Sequence, residues 1–319
     1  HYYFYFVNKL NQLKVKHFTT KYHNNLIVLV FKVNFALLIG LFFSNVTQAI
    51  PLSPSIEHKT FNTSDGIQLH YLEGGSGDKT LVFIPGWLMP AEIFNAQLNY
   101  FSQKYRVISL DPRSQGQSDI YIGKNLAEVR TRDIDELIKA TNTKQFVLIG
   151  WSLGVMESID FVKRYDNPGL ESLVLIDNSI GEGAPPKPKN KKKRSIKPMS
   201  SNDFVDYVKS FVKAIFKSQP ESAFIQTIEK SALRLADNPQ NAFYVLSKPY
   251  PREYYRETLY SKQIPIWYAI TPRYAEQGEI FTTKHPLGSM TIYNNAGHAL
   301  FVDNAYEFNR DLENFLRKK

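Results

Sequence analysis

A chain of 319 residues, 43% of them hydrophobic, is long enough for one large core plus an insertion. Its net charge of +9 is peripheral: five lysines lie in residues 1–49 and seven basic residues in 187–197, with no acid in either segment, which leaves the rest of the chain at minus three and argues against nucleic-acid binding. The absence of cysteine excludes disulfides, thiol catalysis and cysteine-ligated zinc.

The amino terminus has the layout of a secretory leader. Lys32 precedes the apolar stretch from Val33 to Phe43, and polar residues then lead to a small-residue cleavage position near Ala49. Export to the periplasm or the medium is therefore expected. Lys32 interrupts the longer apolar run that begins at Leu26, which argues against a stable membrane anchor. Residues 1–25 have no structural logic. With no methionine before Met89, they are read as upstream sequence outside the fold.

After the leader, Phe61 to Tyr71 reads as a hairpin around an Asp65-Gly66 turn. Apolar strands are expected at Thr80–Ile84, Tyr105–Asp111, around Phe146–Gly150, Leu173–Asp177, Ile264–Ile270 and Ser289–Tyr293. Helical patterns separate most of them, at Ala91–Gln103, Leu126–Ala140 and Val155–Tyr165, and a last helix at Ala305–Leu316 closes the chain. Continuous apolar strands alternating with helices predict a parallel sheet covered on both faces.

The alternation stops after Asp177 and resumes near Gln263. The gap opens with a proline- and lysine-rich run through Arg194 that is too charged to pack, and reads as a solvated linker. Beyond it, Phe204, Val205, Val208, Phe211, Val212, Ile215 and Phe216 recur at helical spacing, and a second helix is expected from Glu221 to Leu235. These form a lid. Its aromatic content, with Phe243, Tyr244, Tyr250, Tyr254 and Tyr255, suggests an apolar or aromatic substrate, although packing of the lid on the body accounts for the same residues.

The chemistry centres on Gly150-Trp151-Ser152-Leu153-Gly154, where an apolar strand breaks into an apolar helix. A serine hydroxyl attacks a carbonyl only when it is exposed, near a base and beside hydrogen-bond donors, and a sharp strand-to-helix turn presents it so. Side chains at the flanking glycines would clash in so tight a turn. For the base, three of seven histidines lie in the leader, His58 just after it and His70 in the hairpin. That leaves His298, in a tight loop after the last strand, and His285, which reads as a surface residue. Asp111 and Arg113 are tempting as a charged pair but read as structural, ordering the turn after the strand at 105. No G-x-G-x-x-G, phosphate loop or H-E-x-x-H occurs, so neither a cofactor nor a metal is expected.

With its elbow, the Pro85-Gly86-Trp87 loop, the Asp111 to Asp119 turn and the Gly297-His298 loop, the chain over roughly residues 60 to 319 resembles the α/β-hydrolase superfamily, in its cap-bearing branch of esterases, haloperoxidase-like enzymes and thioesterases. The resemblance implies a mostly parallel eight-stranded sheet flanked by helices, with a helical cap inserted after strand 6. Residues 50–182 and 263–319 would form the core, and 183–262 the basic linker plus cap. It implies Ser152 as nucleophile, His298 as general base, and the backbone amides of Trp87 and Leu153 as oxyanion hole. Most relatives carry His-Gly where this chain has Pro85-Gly86.

In most of the family the acid follows the seventh strand. Here that region, Trp267 to Tyr274, holds no carboxylate. Some branches place the acid after the sixth strand, which points to Asp177, with Glu276 as the alternative; a loop-capping role for Asp177 stays open. The implied function is hydrolysis of a small or medium carboxylic ester or thioester through an acyl-enzyme, with no protein partner required. Two alternatives remain: a receptor-like hydrolase with slow turnover, and a cofactor-free perhydrolase or haloperoxidase. A dehalogenase would need Asp in place of Ser152.

Overall fold

The computed structural model describes residues 51–123, 126–183, 199–244, 246 and 250–318. The expected leader and the basic run at 187–197 lie outside the described residues.

The described residues build one eight-stranded sheet: β1 (Ile56–Asn62), β2 (Gln68–Gly74), β3 (Lys79–Ile84), β4 (Arg106–Leu110), β5 (Gln145–Trp151), β6 (Leu170–Ile176), β7 (Ile266–Ile270) and β8 (Gly288–Ile292). Their spatial order is β1-β2-β4-β3-β5-β6-β7-β8. β1 and β2 form the hairpin, β2 lies antiparallel on β4, and every later pairing is parallel. The chain enters at β1 and β2 and then winds both ways from β3, so the carboxyl ends of β3, β5, β6, β7 and β8 share one rim. In an open α/β sheet that rim is where chemistry is assembled.

Ten helices connect the strands among the described residues: α1 (Asn95–Phe101), α2 (Leu126–Ala140), α3 (Leu153–Arg164), α4 (Ser201–Ala214), α5 (Ser222–Ala232), α6 (Pro239–Tyr244), α7 (Arg252–Tyr260), α8 (Ala275–Lys284), α9 (Leu300–Asp303) and α10 (Ala305–Arg317). Both faces of the sheet are covered, which is why the central strands read as unbroken apolar runs. Alternate residues part to the two sides. Phe83, Val147 and Ile149 join α1, α10 and the helices α4 and α5 in one core. Val82, Phe146 and Leu148 join α2, α3 and α7 in the other.

One sequence expectation changes here, and two are made specific. A helix, α8, lies between β7 and β8 where none was expected. The tyrosines near 250 follow the packing reading: the Tyr254 hydroxyl donates to Asp160 Oδ1 at 2.5 Å and Arg164 Nη2 donates to the Tyr250 hydroxyl at 2.6 Å, so α7 packs on α3 in the body. Asp111 and Arg113 keep the structural role expected of them, each through partners of its own. Asp111 is held by His70 Nδ1 at 2.7 Å and by the amides of Ala91 and Gln117, while Arg113 pairs with Asp133 and Asp65. The two do order the turn after β4, but separately.

Candidate active site

Ser152 stands at the junction of β5 and α3 with φ 54° and ψ −116°, a strained conformation for a residue with a side chain. The neighbourhood enforces it. Ser152 N donates to Ile176 O at 2.9 Å on β6, and Asn178 Nδ2 donates to Ser152 O at 2.7 Å, so the elbow is tied at both ends to the strand beside it. A methyl group at Gly150 would strike the Gly154 carbonyl and the Ser158 hydroxyl, and one at Gly154 the Ile84 carbonyl. Only glycine lets β5, α3 and the end of β3 meet this closely.

His298 follows β8 and stands over the same rim. Its Nε2 lies 2.8 Å from Ser152 Oγ and its Nδ1 2.7 Å from Asp177 Oδ2. With the ring proton on Nδ1, the imidazole donates to the carboxylate and accepts from the serine. The loop that carries it is fixed from three sides: Trp151 Nε1 donates to His298 O at 2.9 Å, Ala299 N to Ile215 O at 2.8 Å, and Gly297 N to Asp303 Oδ2 at 2.7 Å. The imidazole side chain keeps 30% exposure against 3% for Asp177, so the ring is open to solvent and the carboxylate is not.

Asp177 ends β6 in a left-handed conformation, φ 49°. Its Oδ1 accepts from both Thr271 N and Thr271 Oγ1 at 2.7 Å, leaving Oδ2 for the histidine. Behind it, the Tyr268 hydroxyl donates to Asn178 O at 2.6 Å, and burial pushes its pKa well above the ordinary phenol value, which keeps it a donor. Glu276, the alternative acid, sits in the first turn of α8 facing Gly183, and is not a partner of His298. His285 is not a surface residue: it is 1% exposed, accepts from Leu287 N on Nδ1 and therefore donates from Nε2 to Lys262 O at 3.0 Å.

The Pro85-Gly86-Trp87 loop leaves β3 directly against the elbow. A Cβ on Gly86 would lie 2.9 Å from Ser152 Cβ, so glycine is what allows the approach. Among the described residues no hydrogen bond engages the N–H of Trp87 or of Leu153, the first residue of α3. Two free donors, one of them at a helix amino terminus, suit a developing negative charge. The Trp87 ring reaches the other way, packing against Tyr207 and Phe211 of α4 and against Phe243, with Nε1 donating to Ala242 O at 2.5 Å. The Pro85-Gly86-Trp87 loop is thus also the floor on which α4 and Phe243 rest.

Sequence reasoning missed Gln115, Asn178, Thr271 and Asp303. Each has a partner at least 15 residues away in the chain, which local spacing does not mark. Among the described residues no group of three or more His, Asp or Glu side chains is placed to hold a metal ion.

A mostly parallel sheet with a serine elbow at one rim, a histidine after the last strand and a roof inserted after β6 defines a class of α/β proteins. The family model described as "alpha/beta hydrolase fold" matches residues 79–251, and the chain belongs to that family. Among curated proteins it is similar to human serine hydrolase BPHL, 33% identical over 106 residues, covering 32% of this chain and 36% of that protein. It is also similar to a non-heme chloroperoxidase of Streptomyces lividans, 32% identical over 119 residues, covering 37% of this chain and 43% of that one. The matched region thus spans less than half the length of either relative. A solved structure of a putative aryl esterase from Burkholderia cenocepacia superposes with a TM-score of 0.68 at 22% identity, over 82% of this chain and 98% of that one.

Proposed function

We propose that the protein is a serine hydrolase acting on a small or medium carboxylic ester or thioester. The observation that carries this is the unbroken hydrogen-bonded line from Ser152 Oγ through His298, at 2.8 Å, to Asp177 at 2.7 Å. In this reading His298 Nε2 takes the Ser152 proton as Oγ attacks the carbonyl carbon, and the Trp87 and Leu153 amides receive the oxyanion. Collapse breaks the bond to the alcohol or thiol, which leaves with the proton from His298. Water, deprotonated by the same nitrogen, then releases the acid and restores Ser152. Asp177 holds the tautomer and stabilises the imidazolium.

The aromatic roof of Tyr207, Phe211 and Phe243 over Trp87 supports an apolar acyl or aromatic group in the substrate. Substitution Ser152→Ala is expected to abolish turnover of p-nitrophenyl esters. Retention of substantial activity by this variant, with the fold intact, overturns the assignment. A second reading, perhydrolysis of a carboxylate by peroxide, is favoured by the similarity to the Streptomyces lividans chloroperoxidase. Halide oxidation in the presence of acetate and peroxide separates the two. For residues 1–49 the reading is a leader removed near Ala49, for which amino-terminal sequencing of the exported protein is the test.

A further inference from the structure

The oxyanion loop is held by one side chain that belongs to neither the loop nor the catalytic residues. Gln115, 3% exposed in the turn after β4, has every polar position used. Its Nε2 donates to Gly86 O at 3.0 Å and to Met89 O at 2.7 Å; its Oε1 accepts from Leu88 N at 3.1 Å and from Arg130 Nη1 at 2.9 Å. Two carbonyls face one end of the amide and two N–H donors the other, so its orientation is fixed by its partners.

The consequence lies in the peptide plane. Gly86 C=O and Trp87 N–H belong to one peptide unit, and in a trans peptide they point in opposite directions. The described chain contains no cis peptide. A donor that pins Gly86 O on one side therefore aims Trp87 N–H to the other. The hydrogen bond to Leu88 N holds the next residue at φ 64°, a left-handed conformation that an unbraced leucine would leave.

We propose that Gln115 is a positioning residue for the oxyanion hole, setting the direction of the Trp87 N–H through the carbonyl of Gly86. This rests on the hydrolase reading above. Arg130, on the far side of Gln115, forms a buried pair with Glu157 in the second turn of α3, the helix whose first N–H, that of Leu153, is the other donor. Burial pushes the Glu157 carboxyl up and the charge of Arg130 opposes it. One buried network thus keys the loop that carries the first donor to the helix that carries the second.

The test compares wild type with Gln115→Glu and Gln115→Met. The first keeps an acceptor for Leu88 N and Arg130 but sets an oxygen against the carbonyls of Gly86 and Met89. The second keeps the shape and removes all four bonds. Kinetics on a p-nitrophenyl ester are paired with inhibition by a trifluoromethyl ketone, whose adduct with Ser152 places an oxyanion in the hole, and by the matching unfluorinated ketone. Losing one such donor costs about 10²- to 10³-fold in kcat, so misaiming it is expected to cost about 10- to 100-fold.

KM should stay within about threefold, with affinity for the fluorinated ketone falling in step with kcat and that for the plain ketone unchanged. A merely structural role would lower the melting temperature and leave these ratios in place, which overturns the proposal, as does a kcat within about twofold of wild type. Where Gln115→Glu does not fold, Gln115→Met carries the comparison. Absence of Ser152-dependent turnover in the wild type overturns the hydrolase reading and this inference with it, whereas turnover that is insensitive to Gln115 overturns this inference alone.

Discussion

Replacing Asp177 by Asn should disable the site by reversing one proton. In the native arrangement Oδ1 accepts from Thr271 N and Thr271 Oγ1, both at 2.7 Å, while Oδ2 accepts from His298 Nδ1 at 2.7 Å. An asparagine has one oxygen and one NH2, and the Thr271 backbone N–H can only donate. The oxygen must therefore face Thr271, and the NH2 must face the histidine. A donor at that position forces Nδ1 to accept, which moves the ring proton to Nε2 and points it at Ser152. The imidazole then cannot take the serine proton. In serine-histidine-aspartate sites this wrong tautomer lowers kcat about 10⁴-fold, close to 5.5 kcal/mol at 1.36 kcal/mol per tenfold. The assay is steady-state hydrolysis of a p-nitrophenyl ester, with thermal unfolding to show that the fold is kept. Glu276→Gln serves as the comparison and should remain within about twofold of wild type, since its carboxylate does not reach His298. Activity of Asp177→Asn within tenfold of wild type would refute the reasoning about tautomer and acid alike.

Two further predictions concern the supports of the site. Asp303 accepts from Gly297 N at 2.7 Å and Lys217 N at 2.8 Å on Oδ2, and from Ser218 N at 3.2 Å on Oδ1, so it ties the histidine loop to the end of the first cap helix. Asp303→Asn must oppose an NH2 to at least one of those amides and should cost about 1–3 kcal/mol in urea unfolding together with a loss of kcat; unchanged values of both would show that the brace is idle. Glu92 has a raised pKa, first because of burial and then because of the neighbouring charge of Asp111, and its Oε2 has no partner among the described residues. A raised folded-state value means that the native protein holds the proton more tightly than the unfolded chain. The stability it contributes is thus complete below the unfolded value of 4.5 and is lost as the pH rises through the folded one. Glu92→Gln should flatten the fall of the melting temperature as the pH rises above 4.5, and an unaltered slope would place its cause elsewhere.

The sheet was legible because its central strands are apolar on both faces and short, and the elbow because its serine and flanking glycines fall within five consecutive residues. What escaped depends on contacts distant in the chain or on faces with little pattern. α8 carries Ile280 and Phe281 as its only large apolar side chains and rests on β7 and β8 through Gly278, where a Cβ would meet Met290 and Ile270. A helix that packs through a glycine leaves no stripe for periodicity to detect. His285 sits between Lys284 and Pro286, a polar context that reads as surface, yet the turn folds it inward onto Lys262 O. Asp111 and Arg113 are two residues apart and of opposite charge, but the side chains that pair with them, His70, Asp133 and Asp65, lie 20 to 48 residues away in the chain.

In the proposed site the acid, Asp177, stands at the end of β6, and the register of β6 on β7 accounts for how it meets His298. β6 and β7 are neighbours in parallel register, with Ile176 opposite Ala269. Asp177 and the residues just after Ile270 therefore leave the sheet side by side, and Asp177 N donates to Ala269 O at 2.9 Å. A carboxylate from either strand end can reach the same nitrogen of His298. Moving it one strand over leaves a place after β7, and Thr271 fills that place with two donors aimed at the relocated carboxylate. With no Asp or Glu from 271 to 274, that strand end is free to supply donors. A carboxylate at position 271 would instead set a second negative charge against Asp177, and like charges at hydrogen-bonding distance cannot both stay ionised. Acid and threonine are in this sense one exchange, made across a single pair of strands.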